Sequence, residues 1–384
     1  MQKKSFFGKK YQTHNIGNIV NLAIDTPLQL SSGTTISNFP VAYQTYGKLN
    51  SQKSNAILIC PALTGDQYAA SKHPVTNKEG WWHHVIGPNK TIDTNKYFVI
   101  CSNVLGGCMG TLGPKEINPK TKKPYNLDFP IITISDMVKV QYLLISTYFK
   151  IEQLYAVIGG SMGGMQVLEW ASKYPEHIKC AIAIATAAHH TAQNIAFHEV
   201  GRQAIMADQT WHNGNYINKK SFPAKGLAVA RMTAHITYLS EFALTEKFGR
   251  NLQDKNDLSF DANIDFQIES YLKHQGITFV DRFDANSYLY ITKAMDYFDL
   301  EEEYSGSLHK AFEQSYNVKF CLISFSDDWL FPSSESKRIL KSLNYLGLNA
   351  SFIEIPSNRG HDSFLIKNDK FCEILNGFLT GNSI

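Results

Sequence analysis

No apolar run in this chain reaches 18 residues, so nothing in it reads as a membrane-crossing helix. There is no C-x-x-C pair, no H-E-x-x-H and no Gly-Lys-[Ser/Thr] step, which removes the usual zinc, dithiol and P-loop chemistries. An excess of charge is also missing. Lys plus Arg number 37 against 34 Asp plus Glu, a net +3 too small to imply nucleic acid or an anionic membrane as partner. No repeat or low-complexity segment occurs. Residues 1–15 carry positive charge but no apolar core of signal-peptide length, so no signal peptide is expected. Cysteines are few: Cys60, Cys101, Cys108, Cys180, Cys321 and Cys372. Four of them (Cys60, Cys101, Cys180, Cys321) sit in or at the ends of strand-like runs, as small buried apolar residues do. Disulfides and metal ligation are therefore not expected, and a cytoplasmic location is. The histidine pairs His83-His84 and His189-His190 place neighbours on different faces of any helix, so no metal site is expected from them.

What is present is an ordinary globular composition, 43% hydrophobic and 18% charged over 384 residues. That length holds one large domain with an insertion, or two domains. The most informative stretch is Leu154–Tyr174. An apolar strand-like run, Leu154–Ile158, leads into Gly159-Gly160-Ser161-Met162-Gly163, and an amphipathic helical run follows. G-x-S-x-G alone is common and can be a plain connection. Between a strand and a helix it reads as a nucleophile elbow, a sharp reversal that lifts the serine hydroxyl to the top of a sheet. The helix N-terminus behind it favours developing negative charge.

The rest of the chain supplies the context. Residues 1–50 hold short alternating runs such as Phe39–Tyr46, read as antiparallel strands at a sheet edge. Asn55–Cys60, Tyr97–Cys101 and Cys180–Ala185 are continuous apolar runs of parallel-strand type, with a helix at Ile134–Phe149. Asn55–Cys60 exits into Pro61–Asp66, where serine hydrolase folds place a second oxyanion N–H. Ser102–Thr111 is glycine-rich but is followed by Pro114 and Pro119 rather than a helix, so it is read as a loop near the site and not as a dinucleotide fingerprint.

From about Ala187 the strand alternation stops, and helical stretches dominate at Thr191–Asp208, Gly226–Phe248, Phe266–Gly276 and Ser287–Tyr297. The expected organisation is an α/β core from 1–186 and 311–384, with a helical cap inserted at 187–310. The overall fold class is α/β: a mostly parallel sheet flanked by helices. Strands resume at Val318–Phe325 and Ser351–Ile355. Their exits carry Asp327-Asp328 and His361.

Ser161, an Asp after one strand and a His after the next follow the chain order of α/β-hydrolase triads. The histidine must take the serine proton, and the carboxylate must hold the imidazole tautomer and stabilise the imidazolium. Spacing does not choose between Asp327 and Asp328. Arg231 falls on a stripe with Leu227, Ala234 and Tyr238, but Val229, Ile236 and Leu239 make that helix apolar nearly all round. It is either a structural ion pair, with Glu241 or Asp208, or a fork for an anionic substrate group.

Taken together, LTGDQ (63–67), SNVLGGCMGTLGP (102–114), GGSMGGMQ (159–166), GLAVARMTAHITYLSE (226–241), FGR (248–250), RFDANSYL (282–289), SDDWLFP (326–332) and GHDSFL (360–365) resemble the homoserine O-acetyltransferase family, in its α/β-hydrolase-fold branch. The resemblance covers most of residues 40–370. It implies Ser161 as acyl-accepting nucleophile, Asp328 as the triad acid and His361 as the base. It further implies Asp362 on the substrate amino group, Arg231 on its carboxylate, and the N–H groups of Leu63 and Met162 as oxyanion donors.

The implied reaction is ping-pong acetyl transfer from acetyl-CoA to L-homoserine in methionine biosynthesis, by a homodimer with no permanently bound cofactor. The same triad also serves succinyl-CoA as donor or serine as acceptor. An ester or thioester hydrolase is a further alternative, though Arg231 and Asp362 suit a zwitterionic amino acid. A non-catalytic binding protein would be expected to lack a triad member, and all three are present.

Overall fold

The computed structural model describes residues 16–381; the N-terminal stretch read for a targeting signal lies outside them, as do the outer limits of the expected core segments. Eight strands form the main sheet: β1 (Asn18–Leu22), β2 (Phe39–Tyr46), β3 (Ala56–Cys60), β4 (Phe98–Ser102), β5 (Leu154–Gly160), β6 (Ile178–Ile184), β7 (Lys319–Phe325) and β8 (Ala350–Ile355). Their spatial order is β1-β2-β4-β3-β5-β6-β7-β8. β1 and β2 pair antiparallel, as do β2 and β4, and every later pairing is parallel. The alternating N-terminal runs thus do form an antiparallel edge, and the continuous apolar runs form the covered parallel centre.

Because side chains alternate along a strand, β3 feeds two cores. Leu58 and Cys60 join the cluster that holds Met137, Leu168 and Trp170, whereas Ile57 and Ile59 join Trp82, Phe371 and Leu375. The helices responsible are α1 (Ile134–Leu143) and α2 (Met162–Lys173) on one face and α10 (Asp369–Gly381) on the other. Each side chain buried in this way contributes about 1.5–3 kcal/mol over leaving it exposed. All six cysteines are free, and all but Cys372 are buried.

α1 begins where its capping residues dictate: the Thr133 side chain accepts from the Asp136 N–H, and Asp136 returns the bond to the Thr133 N–H.

Between β6 and β7 come α3 (Ala192–Met206), α4 (Ala224–Tyr238), α5 (Glu241–Lys247), α6 (Gln267–Val280), α7 (Ala285–Asp296) and α8 (Leu300–Glu303). One expectation is corrected here. The apolar run at Gly226–Phe248 is two helices, α4 and α5, because Leu239 is extended and Ser240 starts a new helix. The Ser240 hydroxyl accepts from the Ala243 N–H at 3.1 Å and donates to Asn358 O at 3.1 Å. A serine that offers the backbone an alternative partner interrupts a helix that periodicity alone would continue. The break also anchors the loop after β7, since Trp329 Nε1 donates to the freed Leu239 carbonyl at 3.0 Å.

The remaining core helix, α9 (Ser333–Tyr345), connects β7 to β8. α9 is a parallel crossover of the kind this topology requires.

Candidate active site

Ser161 stands between β5 and α2 with φ 59° and ψ −125°, a left-handed conformation rare for a side-chain-bearing residue. Such strain costs of order 1–3 kcal/mol and persists only where the surroundings enforce it. Here they do. The Ser161 N–H donates to Ile184 O at 2.9 Å, and its carbonyl accepts from Gly164 N–H at 2.8 Å and from the Thr186 hydroxyl at 2.8 Å. The neighbouring glycines leave room for close packing: a Cβ at Gly163 would lie 2.2 Å from Cys60 O, and one at Gly160 would lie 2.5 Å from the Phe364 ring. The G-x-S-x-G sequence therefore forms the strained turn it suggests.

The loop after β7 carries both aspartates, and they do different things. Asp328 Oδ1 accepts the Leu330 and Phe331 N–H groups at 3.0 and 2.9 Å, and Oδ2 meets His361 Nδ1 at 2.7 Å. Asp327 Oδ2 instead accepts the Gly360 N–H at 3.1 Å. The alternative that spacing left open is thus resolved geometrically in favour of Asp328 as the histidine's partner. His361 lies on a short helical turn, Gly360–Phe364, next to the elbow: its ring is 5.6 Å from Phe364, the residue packed on Gly160. Burial by itself would lower its pKa, but the Asp328 carboxylate, through charge and hydrogen bond, and the charge of Asp362 raise it above 6.5.

Arg231 settles on one face of α4. Its Nη1 donates to the Thr64 hydroxyl at 3.4 Å, and the guanidinium lies 4.7 Å from the Phe279 ring centroid and 5.5 Å from that of Tyr238. Neither carboxylate considered as a structural partner is engaged with it. Asp208 accepts the Gly226 N–H and Glu241 accepts the Thr245 hydroxyl. Among the described residues, neither Arg231 nor Asp362 has an oppositely charged side chain at ion-pair distance. Burial pushes the Asp362 carboxyl up, while the charges of His361 and Arg231 pull it down. Two opposite charges thus sense each other without closing into a pair.

Leu63 lies in the turn after β3 and Met162 at the start of α2, directly after Ser161. No acceptor among the described residues takes either backbone N–H. For Met162 this follows from its place in the first turn of a helix.

Ser161 and Leu63 open onto a cleft of about 450 Å3, counting its mouth, whose walls include Ala234, Tyr238, Leu330 and Phe331. Of the Arg231–Ala234–Tyr238 stripe, Ala234 and Tyr238 thus line the cleft, and Arg231 lies against Tyr238 and Thr64. Phe331 and Tyr238, two of these walls, have their rings 5.1 and 6.0 Å from that of the buried His361.

A second group in the wall escaped the sequence reading. Asp296 Oδ1 meets His190 Nδ1 at 3.1 Å and His198 Nδ1 at 2.9 Å, and its other oxygen lies 2.7 Å from Arg202 Nη1. Burial pushes His190 down to about 4, and burial of Asp296 is overcome by hydrogen bonds from both histidines and by Arg202, which hold it well below the usual carboxylate range. The three ligand-type residues lie close enough to hold a metal ion. The position opposite the carboxylate, however, already holds a cation, the Arg202 guanidinium, so the cluster reads as a hydrogen-bonded ion-pair network.

A mostly parallel sheet with a strained serine elbow and a buried Asp–His pair at the strand ends defines an α/β hydrolase. The α/β hydrolase fold family accordingly matches residues 55–367. The homoserine O-acetyltransferase of Mesorhizobium japonicum is 59% identical over 361 residues, spanning 94% of this chain and 92% of that protein. The crystal structure of homoserine O-acetyltransferase from Bacillus anthracis superposes with a TM-score of 0.86 at 30% identity, covering 94% of this chain and 96% of that one. Esterase E22 superposes at 0.84, also at 30% identity, covering 94% and 99%. The chain belongs to the homoserine O-acetyltransferase family.

Proposed function

We propose that this protein transfers an acetyl group from acetyl-CoA to the hydroxyl of L-homoserine. Ser161 Oγ attacks the thioester carbonyl while His361 takes its proton, and the N–H groups of Leu63 and Met162 receive the oxyanion. Collapse breaks the C–S bond, His361 returns the proton to the leaving thiolate, and CoA departs. Homoserine then enters, His361 takes its hydroxyl proton, and the alkoxide attacks the acetyl ester. Ser161 leaves with the proton, completing O-acetyl-L-homoserine. Asp328 holds the imidazole tautomer and stabilises the imidazolium in both halves.

The observation that carries the acceptor assignment is the unclosed pair of charges. A guanidinium and a carboxylate, mutually coupled and both without an ionic partner among the described residues, fit the carboxylate and ammonium of an amino acid. Helices α3–α8 act as the cap that restricts water. We place the reaction in the cytoplasm, and in a homodimer; the dimer is supported by the exposed apolar side chains Val229, Ile236 and Ile277 on two adjoining helices of the cap.

The test is thiol release from acetyl-CoA with and without L-homoserine, repeated with succinyl-CoA and with L-serine. Homoserine-dependent release from acetyl-CoA, with acetylhomoserine as product, is expected. Preference for succinyl-CoA or serine would keep the mechanism and change the substrate; release indifferent to any amino acid would replace the proposal with hydrolysis. Arg231→Ala should raise the homoserine KM while leaving acyl-enzyme formation within a few-fold.

A further inference from the structure

The turn that carries Leu63 is held from two sides by side chains outside the triad. On one side, Gln166 of α2 donates Nε2–H to Pro61 O at 3.0 Å, tying the turn to the nucleophile helix. On the other, Arg282, between α6 and α7, donates from Nη1 to Thr64 O at 2.8 Å. The same nitrogen lies 3.7 Å from Asp66 Oδ2. Asp66 is itself fixed: Oδ1 accepts the Tyr68 N–H at 2.9 Å and Oδ2 meets His73 Nε2 at 3.0 Å. Between these anchors the turn closes on itself through the Gly65 N–H to Ala62 O at 2.9 Å, and the Thr64 hydroxyl takes the longer Arg231 contact at 3.4 Å.

We propose that Arg282 is a positioning residue for oxyanion stabilisation: it fixes the Thr64–Gly65 peptide through Thr64 O, while Gln166 fixes the Pro61–Ala62 peptide, and between these two held peptides the turn sets the direction of the Leu63 N–H. The inference rests on the reading of Leu63 as an oxyanion donor. Its physical basis is that such donors stabilise developing charge only when held in place beforehand; a turn that must reorganise during the reaction loses much of that benefit. Arginine suits the task because its planar, always-charged head is rigid and holds Nη1 on the Thr64 carbonyl with the Asp66 carboxylate alongside, whereas a lysine ammonium rides on a flexible stem. Arg282 comes from the helical segment and its target from the turn after β3, so the cap contributes to oxyanion geometry as well as covering the site. Both half-reactions pass through a tetrahedral oxyanion, so both should depend on Arg282 to a similar extent.

Ser161 acetylation by p-nitrophenyl acetate tests this without CoA or any amino acid, so a wrong acceptor assignment leaves the test intact. Arg282→Met should lower the acylation kcat by roughly 10- to 100-fold, part of the loss seen when an oxyanion donor is removed, with KM within about twofold. The inhibition constant of a trifluoromethyl ketone, which binds as a tetrahedral oxyanion adduct, should rise by a similar factor. Arg282→Lys should recover part of both, and it serves as the readout if the methionine variant does not fold. An unchanged kcat in either folded variant would overturn the proposal. So would a rise in KM alone, or a loss confined to the amino-acid-dependent step, since either would make Arg282 a substrate contact.

Discussion

Glu169 lies on the helix that supports the nucleophile, 1% exposed, and nothing in the proposed mechanism uses it. Burial is the main cause that pushes its carboxyl up to about 7; the charge of Glu303 adds to this, while Ser135, Lys173 and Lys139 oppose it. A carboxyl that holds its proton more tightly when folded destabilises the protein as pH rises. Below the unfolded value near 4.5 both states are protonated and nothing is lost. Between there and about 7 the unfolded chain releases the proton while the folded one keeps it, and above about 7 the loss is complete. At about 1.4 kcal/mol per pH unit, the gap from 4.5 to about 7 amounts to about 3 kcal/mol. Glu169→Gln stays neutral at every pH and should escape this loss. The variant should match the wild type near pH 4 and exceed its stability by up to about 3 kcal/mol at pH 8. With an unfolding entropy of about 2.1 cal/mol/K per residue, that is a rise of about 4 °C in Tm for a chain of this length. Thermal melts across this pH range provide the assay. A Tm difference that is the same at pH 4.5 and pH 8, or a variant less stable at pH 8, would refute the argument.

Asp328→Asn should lower kcat by about 10⁴-fold, because the amide favours the wrong imidazole tautomer. Asp327→Asn, which keeps an oxygen for the Gly360 N–H, should change kcat by only a few-fold in the same steady-state assay. The raised pKa of His361 places the acidic limb of the acylation rate above pH 6.5, since only the neutral base accepts the serine proton. Asp362→Asn removes one of the charges that raise it and should move that limb to lower pH in the pH profile of Ser161 acetylation. Gly163→Ala would force a Cβ to within 2.2 Å of Cys60 O at the end of β3. We expect a loss of about 1–3 kcal/mol in denaturant titration together with reduced acylation.

The sheet and the strand-end positions of Ser161, Asp328 and His361 were legible because their signals are local. A continuous apolar run followed by a glycine-rich turn can be recognised within a few residues, and strand exits place Ser161, Asp328 and His361 at one sheet edge whatever the intervening chain does. Choosing Asp328 over Asp327 needed either the family motif or the coordinates, because adjacent residues differ only in the direction their side chains take. The orientation of Arg231 was hidden for a different reason. An all-apolar helix has no unique buried stripe, and the face was fixed only by Phe279 from α6 and Thr64 from the core. The break at Ser240 is a competition between helix periodicity and a side-chain hydrogen bond to Asn358, 118 residues away. The His190–His198–Asp296–Arg202 network had no sequence signal at all. His190 and Asp296 are 106 residues apart and meet only after α3 and α7 pack.

The likeness to esterase E22 sharpens what a transferase of this fold must do beyond assembling a triad. A strained serine, an Asp–His pair and oxyanion donors accept water as readily as an alcohol, so chemistry alone cannot decide the fate of the acyl group. The acceptor must be favoured by binding energy that water lacks, used to hold its hydroxyl against the ester in a reactive orientation. On the proposed reading that energy comes from Arg231 and Asp362. Each lies beside residues assigned to the chemistry on that reading. Asp362 follows the histidine directly in sequence, and Arg231 touches Thr64, the residue after Leu63. Anchoring the amino acid and organising the oxyanion turn are thus tasks of neighbouring atoms. On that reading, an acceptor held by the Arg231 guanidinium sits beside the residue whose carbonyl Arg282 holds, Thr64. Water makes neither contact.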